Sequence, residues 1–358
     1  MTAAVSTAPP GLRSAQPAVT RRVLLSRGWS RGGGLLVAAA CVAAVAFCSV
    51  AYGSKTIPLG TVVDAFADFD PTSNDHLIVR ELRLPRTVIG LIVGAALGLA
   101  GAVMQGVTRN PLADPGLLGI EAGASLAVVA AIAAFGVATL SSYVWFALLG
   151  AAMASVVVYG LGSLGRGGAT PVKLALAGMA VSALLSSVTS TVLLLDVATL
   201  DQFRFWVVGA LAGRDDAIAW DVAPFLAVGG GLALAIGWTL NTLALGDDAA
   251  KGLGQRVMLI RGVAGLAVIL LCGAATAAAG PIGFVGLTVP HIATAICGAD
   301  YRWILPWSTL LAPVLLVGAD VIGRVIARPG ELQVGIVTAF VGAPFFIALV
   351  RRRKLAQL

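Results

Sequence analysis

An all-α polytopic membrane protein with about ten transmembrane helices is the fold class this chain predicts, and three observations predict it. Hydrophobic residues make up 58% of its 358 residues and charged residues only 11%, with a mean hydropathy of +0.95. A soluble domain carries roughly 25% charged residues, so this chain cannot cover an aqueous surface. Apolar segments of roughly 17–23 residues recur along it, the length at which a helix crosses a bilayer. Lysines and arginines gather at the segment ends, the pattern that orients membrane helices. The net charge of +7 and pI near 9.7 therefore read as topology rather than as nucleic-acid binding.

The elements follow in order. Residues 1–33 are rich in Ala, Ser, Pro and Arg without a hydrophobic period, which predicts a disordered basic tail. Segment 34–52 has the look of a signal-peptide core, but the long series of spans after it favours an uncleaved first span. The next segments are 87–107, 117–136, 142–163, 173–195, 220–240, 261–279, 282–298, 304–323 and 333–350, the eighth short and interrupted by Pro290. Residues 34–350 thus form one transmembrane domain, and 351–358 a basic end. With the N-terminus cytoplasmic, 16 of the 24 Lys and Arg fall inside. Most acids fall outside, among them Asp64, Asp68, Asp70, Asp75, Glu81, Asp201, Asp215 and Asp216. The positive-inside rule favours this arrangement, with both termini cytoplasmic and the chain multi-pass in the cytoplasmic membrane. Two outer loops are long, 53–86 and 196–221. The second carries Phe203, Phe205, Trp206 and Trp220, which fit either an interfacial aromatic belt or a short helix lying on the outer face.

The second segment is the most particular. Arg83 and Arg86 guard its start, and Gly90, Gly94 and Gly98 fall four residues apart on one helix face, the spacing that admits a close neighbour in lipid. A proline-broken turn, Arg109 to Gly116, separates it from the third segment. The inner loop 241–260 contains Asp247-Asp248-Ala249-Ala250-Lys251-Gly252-Leu253-Gly254, with acids at a helix start and glycine at its stop. That predicts a short helix and a tight turn, either suited to docking in a partner's groove or an ordinary solvated connector. Between Thr276 and Arg302, Pro281 and Pro290 with Gly280, Gly283 and Gly286 predict broken helices, which survive at membrane depth only inside protein or along a cavity.

Chemistry is sparse. None of the four lysines sits in a phosphate-cradling G-x-x-x-x-G-K-[ST] loop, so the chain is not an ATPase by that route and reads as no enzyme. Cys41, Cys48, Cys272 and Cys297 form no CxxC pair and read as small buried hydrophobes. His76 and His291 are too few and too far apart for a metal-conducting pore, and no cofactor is indicated. Glu121, Asp196 and Asp320 sit near span ends, where interfacial or protein-lined sites are expected, and are too few for a mid-span proton relay. Arg83, Arg86, Arg324 and Arg328 lie on the side that should be poor in them. They either snorkel to headgroups or present guanidinium groups to an external partner's carboxylates.

Together these residues resemble the binding-protein-dependent ABC transporter permease family (FecCD type) that imports ferric siderophores, haem and vitamin B12. The resemblance lies in RLPRT at Arg83–Thr87, the GAALGLAGAVMQ run, NPLADPGLLG at Asn110–Gly119, LNTLALGDDAAKGLG, GPIGFVGLTVPHIA, GADYRWILP, ADVIGR and ELQVGIVTAFVGAPFF, and covers nearly everything after residue 53. It implies a type II ABC importer permease fold. Two permease subunits, identical or related, would enclose a pathway driven by two cytoplasmic ATPases and fed by an extracytoplasmic binding protein or lipoprotein. By position, Arg83, Arg86 and Arg324 match arginines that receive the binding protein's acids. Asp247, Asp248, Ala249, Ala250, Gly252 and Gly254 match the ATPase-coupling helix. The Gly168–Lys173 turn matches a cytoplasmic gate, with Thr170 and Pro171 in it, although Pro171 stands where a small hydroxyl residue can occur. Thr294 stands where the family usually has arginine. The resemblance implies ATP-driven import of an iron-siderophore-type complex, with haem or vitamin B12 as alternative cargo and a secondary transporter as the alternative mechanism.

Overall fold

The computed structural model describes residues 28–137, 139–165 and 170–355. The basic tail up to residue 27 and positions 166–169 beside the expected gate lie outside the described residues. Helices dominate because lipid offers no partner to a bare backbone N–H or C=O. In chain order they are α1 (Gly28–Ala51), α2 (Leu59–Ala67), α3 (Asn74–Leu77), α4 (Leu84–Thr108), α5 (Ile120–Phe135), α6 (Leu140–Ser163) and α7 (Pro171–Leu195). There follow α8 (Val197–Val207), α9 (Asp216–Ala235), α10 (Gly237–Ala244), α11 (Asp247–Gly252), α12 (Val257–Ala279), α13 (Val285–Cys297), α14 (Tyr301–Ile326) and α15 (Val334–Leu355).

Among the described residues, seven helices are long and apolar enough to cross a membrane. Three shorter apolar helices, Ile120–Phe135, Val285–Cys297 and Val334–Ala348, coincide with the third, eighth and tenth segments. The stretch Asn74–Thr108 is 78% buried over its most apolar window, against 17% for α1 and for α7. The second segment is therefore the central post of the bundle, and the exposed faces of α1 and α7 are apolar surface for lipid or another helix.

Glycines put α4 at the centre. A Cβ on Gly94 would stand 2.8 Å from the Pro313 Cα, one on Gly90 would stand 2.9 Å from Val317 Cγ2, and one on Gly98 would overlap Ala312 and the Ser308 carbonyl. All three glycines thus press on α14, and Gly101, on the same post, meets the Gly286 carbonyl of α13. No side chain fits in those gaps.

Several expectations shift. The helix that carries the first span begins at Gly28, and its span-forming part runs from Gly32 to Ala51. Pro290 does not break α13, which runs unbroken through it; the break lies earlier, where Gly280 (φ 76°) and Phe284 (φ 68°) turn the chain between α12 and α13. Segment 196–221 forms α8, whose Phe203 and Trp206 turn inward with ring centroids 5.7 Å apart, while Trp220 stays exposed. Burial of apolar rings against the bundle outweighs an interfacial belt there. Cys272 and Cys297 are buried, but Cys41 is exposed on α1 because that helix lies at the margin of the bundle.

Candidate functional site: a polar groove between two charged ends

One end of the bundle is an arginine cluster. Asp320 of α14 accepts from Arg86 Nε at 3.0 Å and Nη2 at 2.8 Å, and pairs with Arg324 Nε at 3.1 Å. Arg86 Nη1 reaches Glu331 Oε2 at 2.7 Å, and Ser54 Oγ donates to the other Glu331 oxygen at 2.9 Å. Arg324 also donates to the Ser49 carbonyl at 3.0 Å and to Ser49 Oγ at 2.8 Å, and Ser49 shares a 2.7 Å hydrogen bond with Thr87. Arg83 donates to the carbonyls of Val50, Ala51 and Lys55. Burial pushes the Glu331 carboxyl up, but the hydrogen bond and charge of Arg86 outweigh it and hold the group below the ordinary glutamate value.

The sequence predicts Arg83, Arg86 and Arg324 as outward-facing. The structure brings them together but buries them, at 4%, 8% and 1% exposure. Arg86 and Arg324 are compensated by Asp320, with Glu331 also on Arg86, and Arg83 is held by the carbonyls of Val50, Ala51 and Lys55; a buried guanidinium is tolerable only with such partners. Arg328 is exposed and donates to the Gly53 carbonyl at 2.7 Å. Asp320 is 1% exposed and is a structural counter-ion rather than an interfacial acid.

The opposite end carries α11. Gly246 (φ 110°) and Gly254 (φ 80°) bracket it in backbone conformations that favour glycine. Asp247 pairs with Arg109 at 3.1 Å and with Arg261 at 3.0 Å, so the short helix is bolted to the end of α4 and the start of α12. Ala250 is fully buried, whereas Asp248, Ala249, Lys251, Gly252 and Gly254 face outward, with Leu253 61% exposed beside them. Asp300 fixes the neighbouring corner. It accepts from Asn241 at 2.7 Å, while Asn241 accepts from the Tyr301 N–H at 2.8 Å. Thr170 caps α7 by accepting from the Lys173 N–H at 3.4 Å, and Pro171 takes the first turn, where its missing N–H costs nothing.

A groove of about 490 Å³ lies between α5, α7 and α8. Glu121 and Ser125 of α5 line one wall, Ser182, Ser186, Thr189 and Ser190 of α7 the other, and Phe203 and Arg204 of α8 stand at one end. The turn after α4 does not stay at the surface. Pro115 packs at Gly286, and Gly119 sits beside Ser182, close to the middle of α7. The extended backbone at Asp114 and the left-handed Gly119 (φ 71°) lift the chain into the bundle, and Asp114 Oδ1 accepts from the Gly116 N–H at 2.8 Å. Glu121 consequently lines the groove at membrane depth rather than at an interface. A second cavity, of about 410 Å³, lies between α4, α6 and α12, but Val103, Leu118, Val156 and Leu174 make it largely apolar. Among the described residues, no three His, Cys, Asp or Glu come together as a metal site. The hydroxyl wall was readable in outline, since Ser182, Ser186, Thr189 and Ser190 fall on one helix face; the opposing Glu121 and Ser125 were not.

An apolar multi-helix bundle with a hydroxyl- and carboxylate-lined groove and a charged cluster at each end is the build of a membrane permease. Residues 41–352 match the FecCD transport family, and the chain belongs to it. It is 48% identical over 305 residues to the ferric enterobactin transport system permease protein FepD of Escherichia coli, covering 85% of this chain and 91% of that one. To the Fe(3+)-citrate import system permease protein YfmD of Bacillus subtilis it is 49% identical over 282 residues, covering 79% and 84%. To the iron(3+)-hydroxamate import system permease protein FhuB of the same organism it is 41% identical over 327 residues, covering 89% and 83%. Its fold is similar to a metal-chelate type ABC transporter solved in an inward-facing conformation, with TM-score 0.78, 26% identity and coverage of 90% of this chain and 99% of that one.

Proposed function

We propose that the chain is the membrane subunit of an ATP-driven importer for a ferric chelate, passing cargo by alternating access while partner ATPases hydrolyse ATP. The carrying observation is the groove of about 490 Å³, which sets Glu121 and Ser125 of α5 against the hydroxyls of Ser182, Ser186, Thr189 and Ser190 of α7. Polar groups at membrane depth are costly and mark substrate pathways. The names of the relatives, which are ferric enterobactin, iron-citrate and iron-hydroxamate permeases, support a ferric cargo.

In this reading the arginine end faces a binding protein and the α11 end faces the ATPases. Arg83, Arg86 and Arg324 serve docking by holding α1, α4, α14 and the 327–333 loop in shape, while exposed Arg328 offers the direct contact. Asp247 anchors α11, and Asp248, Ala249, Gly252, Leu253 and Gly254 meet the ATPase. Thr170 and Pro171, at the inner mouth of α7, are the gate. A second permease subunit covers the exposed face of α7 and completes the groove.

The test is growth of a deletion strain on single ferric chelates, with uptake of each radiolabelled complex. Loss of uptake for at least one chelate, restored by the gene but not when the partner ATPase is inactivated, is expected. Uptake that survives ATPase inactivation and collapses with the proton gradient sinks the reading in favour of a secondary transporter.

A further inference from the structure

The groove has a sign, and the sign selects cargo. Glu121 is a carboxylate on its wall, and Asp114 is close by. A methyl group built on Gly116 would lie 3.0 Å from Asp114 Oδ1 and 3.9 Å from Glu121 Oε2. Neither acid has a Lys or Arg within ion-pair distance among the described residues. The basic group on the lining, Arg204, stands beyond the last hydroxyl of α7 and is paired with Asp201 at 3.3 Å. The rest of the wall facing Glu121 is Ser182, Ser186, Thr189 and Ser190, which offer hydroxyls and no charge. A chelate held in the groove would therefore meet hydroxyls and apolar side chains on one wall and, on the other, an acid with no ion-paired base among the described residues.

We propose that Glu121 is a specificity-determining residue of the groove, favouring ferric chelates that are neutral or cationic and rich in N–H or O–H donors over polyanionic ones. Three hydroxamates neutralise ferric iron, and an added amine makes the complex cationic. Three catecholates leave a net charge of minus three, which the groove repels. The proposal rests on the importer reading and extends it from ferric chelates in general to one charge class.

The test uses the complete permease–ATPase complex in lipid nanodiscs without a binding protein, so that only the groove discriminates. The probes are a cationic ferric trihydroxamate and a trianionic ferric triscatecholate, with equilibrium binding read by quenching of tryptophan fluorescence. Wild type is expected to favour the trihydroxamate. Glu121→Gln, which keeps shape and loses charge, reduces that preference by roughly tenfold, and Glu121→Lys inverts it. Ser186→Ala weakens both probes alike and leaves their ratio unchanged. An equal ratio in wild type, Glu121→Gln and Glu121→Lys overturns the role of Glu121 while leaving the importer reading intact, as does a wild-type preference for the trianion. Binding of neither probe by any of the proteins also overturns the role of Glu121, since the groove then holds no chelate by itself, and the importer reading stands or falls on the uptake test.

Discussion

Replacing Asp320 by Asn should damage this protein more than any other exchange of a single heavy atom at the arginine end. The carboxylate is 1% exposed and compensates two guanidinium groups, receiving Arg86 at 2.8 and 3.0 Å and pairing with Arg324 at 3.1 Å. Asparagine has nearly the same shape but no charge, and its amide nitrogen would confront a donor. Arg324 would keep Ser49 and Arg86 would keep Glu331, so neither is stripped completely. At an effective dielectric near 20, unit charges about 4 Å apart attract by about 4 kcal/mol, and breaking a buried pair by removing one partner costs about 3–5 kcal/mol. Allowing about 2 °C per kcal/mol for a chain of this size gives a fall in Tm of about 6–10 °C. The assay is thermal unfolding in detergent, followed by fluorescence-detected size exclusion. A triple exchange, Asp320→Leu with Arg86→Met and Arg324→Met, separates charge from packing, because apolar residues of similar volume often replace a buried ion network without loss. It should recover at least half of the fall. A melting point for Asp320→Asn within about 2 °C of wild type would falsify the view that this cluster clamps α4 to α14.

The remaining expectations follow from the same geometry. Gly101→Val places a branched side chain onto the Gly286 carbonyl and should abolish folded protein in the membrane fraction, whereas Gly283→Ala, which meets nothing within 4 Å, should express normally. Arg328→Glu should weaken capture of the binding protein by at least tenfold, a change of about 1.4 kcal/mol, with insertion unchanged; equal capture removes Arg328 from the docking face. Gly254→Ala forces φ 80° on a residue with a Cβ, costing about 1 kcal/mol, and Leu253→Asp puts a charge on the proposed ATPase contact. Both should leave the protein folded while lowering chelate-stimulated ATP hydrolysis, read in proteoliposomes. The Glu331 carboxyl, held below its ordinary value by Arg86 despite the opposing effect of burial, contributes stability that is fully present above the ordinary glutamate pKa of about 4.3. That contribution is lost as pH falls through the depressed value. Melts from pH 7 downwards should show an acid loss that Glu331→Gln removes.

Span positions were legible because lipid imposes a length and a hydropathy that each segment must meet alone. The packing face of α4 was legible for a similar reason, since Gly90, Gly94 and Gly98 carry their spacing within one helix. The arginine cluster was not, because its meaning depends on Asp320 and Glu331, which lie 234 and 245 residues from Arg86 in the chain. Arg324 does have Asp320 one helical turn before it, but Arg86, whose acids are remote in sequence, looks alone like a surface group waiting for an external one. Tertiary pairing with Asp320 and Glu331 buries Arg86 beside Arg324, while Arg328 stays exposed. Of the two positions expected for Glu121, interfacial or protein-lined, the structure gives the second, because the Asp114–Gly119 turn is itself carried into the bundle by Gly119 and Pro115. The same lift puts the acid opposite Ser182. The turn is therefore not only a connector between α4 and α5. Its Arg109 end is tied to α11 through Asp247, and its Gly119 end shapes the groove, so a displacement of α11 has a short covalent route to the residue that faces the cargo.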